Sequence, residues 1–128
     1  MVAFETSRFG PIEVQENRII RFPVGLLGFP RLNRYVLLDY KDTPLKWLQA
    51  VEDPDIAFIV TDPKTIAGEG TITLGDDVVR FLQLERDEDL AVLLMLRVDG
   101  DKVVANFNGP LAINSNRMVG VQAVVERA

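Results

Sequence analysis

The chain has 128 residues, 48% of them hydrophobic, with 19 acidic against 14 basic side chains and a formal charge of −5. That length fits one domain, expected to span residues 1–128, which can bury roughly two-thirds of the surface its unfolded form exposes. With no cysteine and no histidine, the sequence excludes disulfides, thiolate and imidazole catalysis, and metal sites built on those ligands, while the negative charge disfavours binding a polyphosphate.

Taken in chain order, Met1-Val2-Ala3-Phe4-Glu5 passes directly into an alternating pattern, without the basic and apolar segments of a secretory leader. The expected location is cytoplasmic. Phe4 to Thr6, Ile12 to Val14, Tyr35 to Tyr40, Trp47 to Val51 and Ile72 to Leu74 alternate or cluster β-favouring residues, which predicts short strands. Gly10-Pro11, Pro23, Pro30, Pro44, Pro54 and Pro63 punctuate them, because proline cannot donate to a continuing ladder.

Ala57 to Val60 and Leu90 to Leu96 are apolar at nearly every position, as strands covered on both faces require. The second is also far short of the roughly 20 residues that cross a bilayer, so no membrane partner is expected. Asp76 and Asp77 open the one helical pattern, with Val78, Phe81 and Leu82 on one face; such a helix is expected to plug one end of a barrel. Asp99-Gly100 between apolar runs predicts a hairpin with a two-residue type I′ turn. The fold class that follows is mainly β: a small closed or half-closed antiparallel β-barrel with one short helix.

Three constellations invite a chemical reading. Glu52-Asp53-Pro54-Asp55 is the densest carboxylate cluster near apolar strands; Asp53 and Asp55 suit a carboxylate hydrolase or a small-ligand-binding barrel, but Asp-Pro-Asp between strands also reads as an Asx-capped turn, as does Asp62-Pro63. Gly25-Leu26-Leu27-Gly28-Phe29 lacks the Lys-Ser/Thr ending of a phosphate loop and offers instead bulky apolar side chains that either tuck into a core or present an anchor. Glu85-Arg86-Asp87-Glu88-Asp89 is a solvated loop or a contact for a basic partner. An oligonucleotide-binding barrel stacking bases on Trp47 is disfavoured by the acidic charge.

These segments, in order, resemble the flagellar assembly factor family FliW. Phe9-Gly10 followed by Ile12-Glu13-Val14 is similar to its opening hairpin, and Ile20-Arg21-Phe22-Pro23-Val24-Gly25-Leu26-Leu27-Gly28-Phe29 to its Phe-Pro-x-Gly-Leu-x-Gly-Phe signature. Trp47-Leu48-Gln49 leading through Asp53-Pro54-Asp55 to Ala57-Phe58 and Asp62-Pro63 matches its central block. Ala105 to Asn114, followed by Gly120-Val121-Gln122, resembles its closing Asn-x-x-x-Pro-x-x-Ile-Asn strand pair. Departures lie around Lys64 to Gly70, which is poorer in aromatic and acidic residues, and at Glu126-Arg127-Ala128, where members carry a longer polar tail; functions of those regions are not carried over.

The resemblance implies a non-enzymatic protein-binding module without cofactors, binding flagellin and the translational regulator CsrA and relieving repression of flagellin synthesis by sequestering the regulator. Leu26, Leu27 and Phe29 are the expected anchors for amphipathic flagellin helices. Asp76, Asp77, Glu85, Asp87 and Glu88 are expected to attract the basic regulator and repel RNA phosphate. No direct nucleic-acid partner is expected, and the free chain is expected to be monomeric.

Overall fold

The structure is a computed structural model describing residues 1–66 and 72–125; part of Lys64 to Gly70 and all of Glu126 to Ala128 therefore lie outside the described residues. Among the described residues there are ten strands. Two form an N-terminal hairpin, β1 (Val2–Thr6) with β2 (Gly10–Val14). The others are β3 (Ile19–Arg21), β4 (Arg34–Asp39), β5 (Lys46–Ala50), β6 (Ala57–Thr61), β7 (Leu90–Asp99), β8 (Lys102–Ala105), β9 (Leu111–Asn114) and β10 (Val119–Gln122).

Seven strands close into a barrel in the order β3-β4-β5-β6-β7-β9-β10. Pairing of β6 with β7 completes the ring, and β10 returns to β3 in parallel while the other neighbours are antiparallel. Closure removes the exposed edges that an open sheet leaves unpaired. Alternation along each strand sends Ile20, Tyr35, Leu48, Ala50, Val60 and Leu111 into one buried cluster, as the period of two requires. On the outer wall, Ile19, Val36 and Val51 are covered by Val2, Phe4 and Val14 of the N-terminal hairpin. Pro11 sits inside β2, where a two-stranded ribbon tolerates its missing donor.

Several expectations hold. Ala57 to Val60 and Leu90 to Leu96 are strands with no exposed residue, Asp76–Leu82 is a helix, and Asp62 accepts a hydrogen bond from the Lys64 N–H at 2.9 Å to start a single helical turn, α1 (Pro63–Ile66).

Three expectations are corrected. Ile72 to Leu74 is not a strand, because β6 pairs directly with β7 and leaves that segment no free edge. The hairpin of β7 and β8 ends in the pair Asp99↔Lys102, so its two loop residues are Gly100 and Asp101, and only Gly100 has positive φ (+67°); glycine at the first central position is the type II′ pattern, not type I′. The helix, α2 (Asp76–Leu82), does not plug an end. It lies against β9 and β10, and its last residue is held by Asn114, on the opposite face of β9 from the core residues Leu111 and Ile113. One end of the barrel is covered instead by the segment from Phe22 to Asn33, which places Phe22 and Leu26 in the core cluster with Leu32 packed against it.

Candidate functional site

The covering segment is organised by a tight turn. The Phe29 N–H donates to the Leu26 carbonyl at 2.8 Å, the Leu26 N–H to the Phe29 carbonyl at 3.3 Å, and Gly28 has φ +87°, as the third position of a type II turn demands. Gly25, at φ +72°, lies so close to the returning chain that a Cβ there would sit 2.6 Å from the Phe29 carbonyl oxygen and Pro30. The turn sends neighbouring leucines in opposite directions: Leu26 is 3% exposed and Leu27 68%. Of the three sequence-predicted anchors, Leu26 therefore belongs to the core and is not available on the surface. Phe29 is half-buried, its ring meeting Phe58 edge-on at 5.4 Å. Leu27 is exposed, and so is Val24 three residues before it.

Gln122, at the end of β10, holds this turn in place. Its side-chain oxygen accepts from the Leu27 N–H at 2.8 Å and its amide donates to the Gly109 carbonyl at 3.0 Å. One side chain thus ties the exposed turn to two different parts of the barrel.

The predicted acidic residues are all exposed. Asp76 and Asp77 occupy the first turn of α2, where the helix dipole favours negative charge. Glu85, Asp87 and Glu88 follow its C-terminal end; Glu88 pairs with Arg86 at 3.1 Å, and the Asp89 carbonyl accepts from the Ser115 N–H at 2.8 Å. Asn114 docks the helix, donating to the Leu82 carbonyl at 2.8 Å while its oxygen accepts from the N–H groups of Asn116 and Arg117 at 3.0 and 3.2 Å. Strand direction puts the Glu85 to Glu88 stretch, beside the start of β7, at the end of the barrel opposite Leu27. The two predicted contact groups do not form one surface.

Asp53 and Asp55 serve local structure. The Asp53 carboxylate accepts from the Asp55 N–H at 3.0 Å, closing an Asx turn, and Asp55 accepts from the Ser7 hydroxyl at the tip of the N-terminal hairpin. Among the described residues no group of three or more acidic side chains is placed to hold a metal ion. The buried Gln49 amide reaches the Ala50 and Ile56 carbonyls at 3.0 and 3.1 Å, pinning the turn from beneath. Trp47, the base-stacking candidate, already has partners: the Arg8 guanidinium 4.1 Å over its ring, and Phe9 and Tyr40 at 6.1 and 5.6 Å.

Sequence reasoning did not find the roles of Gln122 and Asn114. Their only signal is polarity at strand ends, and identifying the carbonyls they meet requires the fold. Nor did it find that Val98 and Val103, directly paired across β7 and β8, are 70% and 66% exposed. They lie where the hairpin runs past the barrel, since β6 pairs with β7 only over Leu94 to Leu96.

A tied-down apolar turn, a separate acidic stretch and carboxylates occupied in turns make a surface suited to contact. The family model described as FliW protein matches residues 3–128. Similar relatives, each named flagellar assembly factor FliW, include one from Geotalea uraniireducens, 39% identical over 94% of this chain and 76% of the relative, and one from Geobacter sulfurreducens, 37% identical over 94% and 77%. Another, from Alkaliphilus metalliredigens, is 35% identical over 95% and 78%. A crystal structure of the flagellar assembly factor FliW superposes with a TM-score of 0.91 at 31% identity, covering 99% of this chain and 91% of that one. The chain belongs to the FliW family of flagellar assembly factors.

Proposed function

We propose that this protein binds flagellin and the translational regulator CsrA, and that by sequestering the regulator it relieves repression of flagellin translation. Family membership supports the flagellar setting, and the single observation that carries the contact reading is Leu27: a large apolar side chain 68% exposed on a turn closed by reciprocal Leu26–Phe29 backbone bonds and held by Gln122. Exposed leucine on a rigid support suits an amphipathic helix laid against it, because little conformational freedom is lost on binding. Val24 and the outer edge of Phe29 extend that contact, while Leu26 supports it from the core. Asp76, Asp77, Glu85, Asp87 and Glu88 supply the attraction for a basic partner and the repulsion for RNA. No covalent chemistry is involved, and the free form is monomeric.

Calorimetric titration with the flagellin and the CsrA of the same organism tests this. Binding of both is expected, with flagellin binding weakened by Leu27→Ser and CsrA binding weakened by charge reversal at Glu85 and Asp87. Heat-silent mixing with both partners, at concentrations up to the micromolar range, overturns the proposal.

A further inference from the structure

The outer wall carries an arrangement that neither the acidic stretch nor the Leu27 turn explains. Arg21 on β3 stands directly opposite Arg34 on β4, and on its other side Arg21 is paired with Val119 of β10. Like charges directly opposite on adjacent strands are destabilising, and although the Glu52 carboxylate accepts from the Arg34 backbone N–H at 3.0 Å, neither guanidinium is held in an ion pair among the described residues. Among the described residues the ion pairs are Lys46 with Asp39 and Arg86 with Glu88; neither arginine takes part. Arg117, in the turn between β9 and β10, joins them and directs its guanidinium to the Gln83 side-chain oxygen.

Two cavities open on this trio. One, of about 440 Å³, is lined by all three arginines with Pro23, Phe81 and Val119. The other, of about 570 Å³, shares the same three and adds Val2, Ile19 and Met118, with Glu16 as its one carboxylate. The groove therefore runs across the barrel wall between the N-terminal hairpin and α2, with guanidinium groups at its centre and mixed walls in which Asn17, Asn33 and Asn116 interleave with the apolar side chains, and Phe81 on its rim is 41% exposed.

We infer that the groove around Arg21, Arg34 and Arg117 is a docking site for an acidic, amphipathic protein segment, whose carboxylates pair with the guanidinium forks while its apolar side chains lie against Phe81 and Val119. Charge complementarity names the occupant. Guanidinium binds carboxylate bidentately, and each pair is worth more where flanking apolar groups exclude water. A nucleic-acid strand brings negative charge at every phosphate toward a chain of net charge −5, whereas a peptide places carboxylates only where the arginines are. This inference rests on the reading of the protein as a binding module, but it names a surface apart from the Leu27 turn and from the Glu85 to Glu88 stretch.

The test uses the whole protein and a fluorescein-labelled twelve-residue peptide carrying two glutamates and three leucines at helical spacing, read by anisotropy. A second peptide has glutamine for glutamate, and a labelled oligothymidylate serves as the nucleic-acid probe. The acidic peptide is expected to bind, and to lose at least tenfold in affinity with Arg21→Gln/Arg34→Gln or when salt rises from 0.1 to 0.5 M. The same double variant is expected to keep or raise its melting temperature, since a repulsion has been removed. Failure of the acidic peptide to bind, equal binding of the glutamine peptide, unchanged affinity in the double variant, or tighter binding of the oligothymidylate overturns the inference. Flagellin and CsrA titrations of the unaltered protein judge the broader reading separately, because neither uses the peptide.

Discussion

Asn114 offers the sharpest test of how this fold holds its parts together. The side chain is 2% exposed and makes three hydrogen bonds, one to the Leu82 carbonyl and two from the N–H groups of Asn116 and Arg117. Asn114→Ala removes all three. The buried Leu82 carbonyl then lacks a partner, at about 1 to 3 kcal/mol, and the two turn bonds contribute about 0.5 to 1.5 kcal/mol each. A total of about 2 to 6 kcal/mol follows, which for a chain of this length lowers the melting temperature by about 7 to 20 °C. Urea unfolding followed by circular dichroism reads the loss, and hydrogen exchange reads where it falls, with Val78 to Gln83 expected to lose protection first. Asn114→Asp separates the two roles: its oxygen still accepts from the turn, but it opposes the Leu82 carbonyl with another oxygen, so α2 loosens while the β9–β10 turn survives. A loss below about 1 kcal/mol in Asn114→Ala, or exchange protection unchanged along α2, would refute the assignment of this residue as the dock of the helix.

Further outcomes are expected elsewhere. Tyr35 is fully buried, its hydroxyl has no hydrogen-bond partner among the described residues, and burial, aided by Glu52, pushes its pKa up to about 12. The unfolded chain releases that proton near pH 10, so stability present below pH 10 falls by about 2 to 3 kcal/mol as the pH rises to 12; in Tyr35→Phe this alkaline loss is absent and neutral-pH stability is equal or slightly higher, as pH-dependent urea titrations would reveal. Gly25→Ala forces a Cβ to 2.6 Å from backbone atoms at positive φ, and a loss of at least about 2 kcal/mol is expected by thermal unfolding. Gln122→Ala frees the Leu27 N–H and the Gly109 carbonyl, costing about 1 to 2 kcal/mol and weakening any partner that contacts Leu27, measured by calorimetry.

Much of the barrel was legible because its strands carry their own pattern. The strands Ala57–Thr61 and Leu90–Asp99 announce themselves through the apolar runs Ala57 to Val60 and Leu90 to Leu96, and the Asp53 to Asp55 turn is written in local chemistry that needs no distant partner. What failed to read depends on contacts far apart in sequence. Ile72 to Leu74 has the composition of a strand but no edge to join once β6 meets β7, and β3 is only three residues long, too short for a period of two to register. The hairpin at Gly100 was misplaced by one residue because Asp99-Gly100 and Gly100-Asp101 are both acceptable turn dipeptides, and cross-strand register chose between them.

The proposed contact residues divide on the same physical line. Leu26 and Leu27 are identical in composition, and only the turn geometry assigns one to the interior and one to solvent. The acidic residues were legible as exposed because Asp76 and Asp77 open α2 and Glu85, Asp87 and Glu88 belong to a charged run after it. Arg21 and Arg34 gave no signal at all, since their adjacency exists only through strand pairing.

The covering segment has a mechanical consequence. Leu26 seals the barrel and Leu27 faces outward on the next peptide unit, so a partner gripping Leu27 takes hold of the stopper of its own host. Binding and the breathing of the barrel mouth are then one linked equilibrium: occupancy suppresses escape of Leu26 from the interior, and any substitution that lets Leu26 slip out lowers the fraction of molecules able to be gripped.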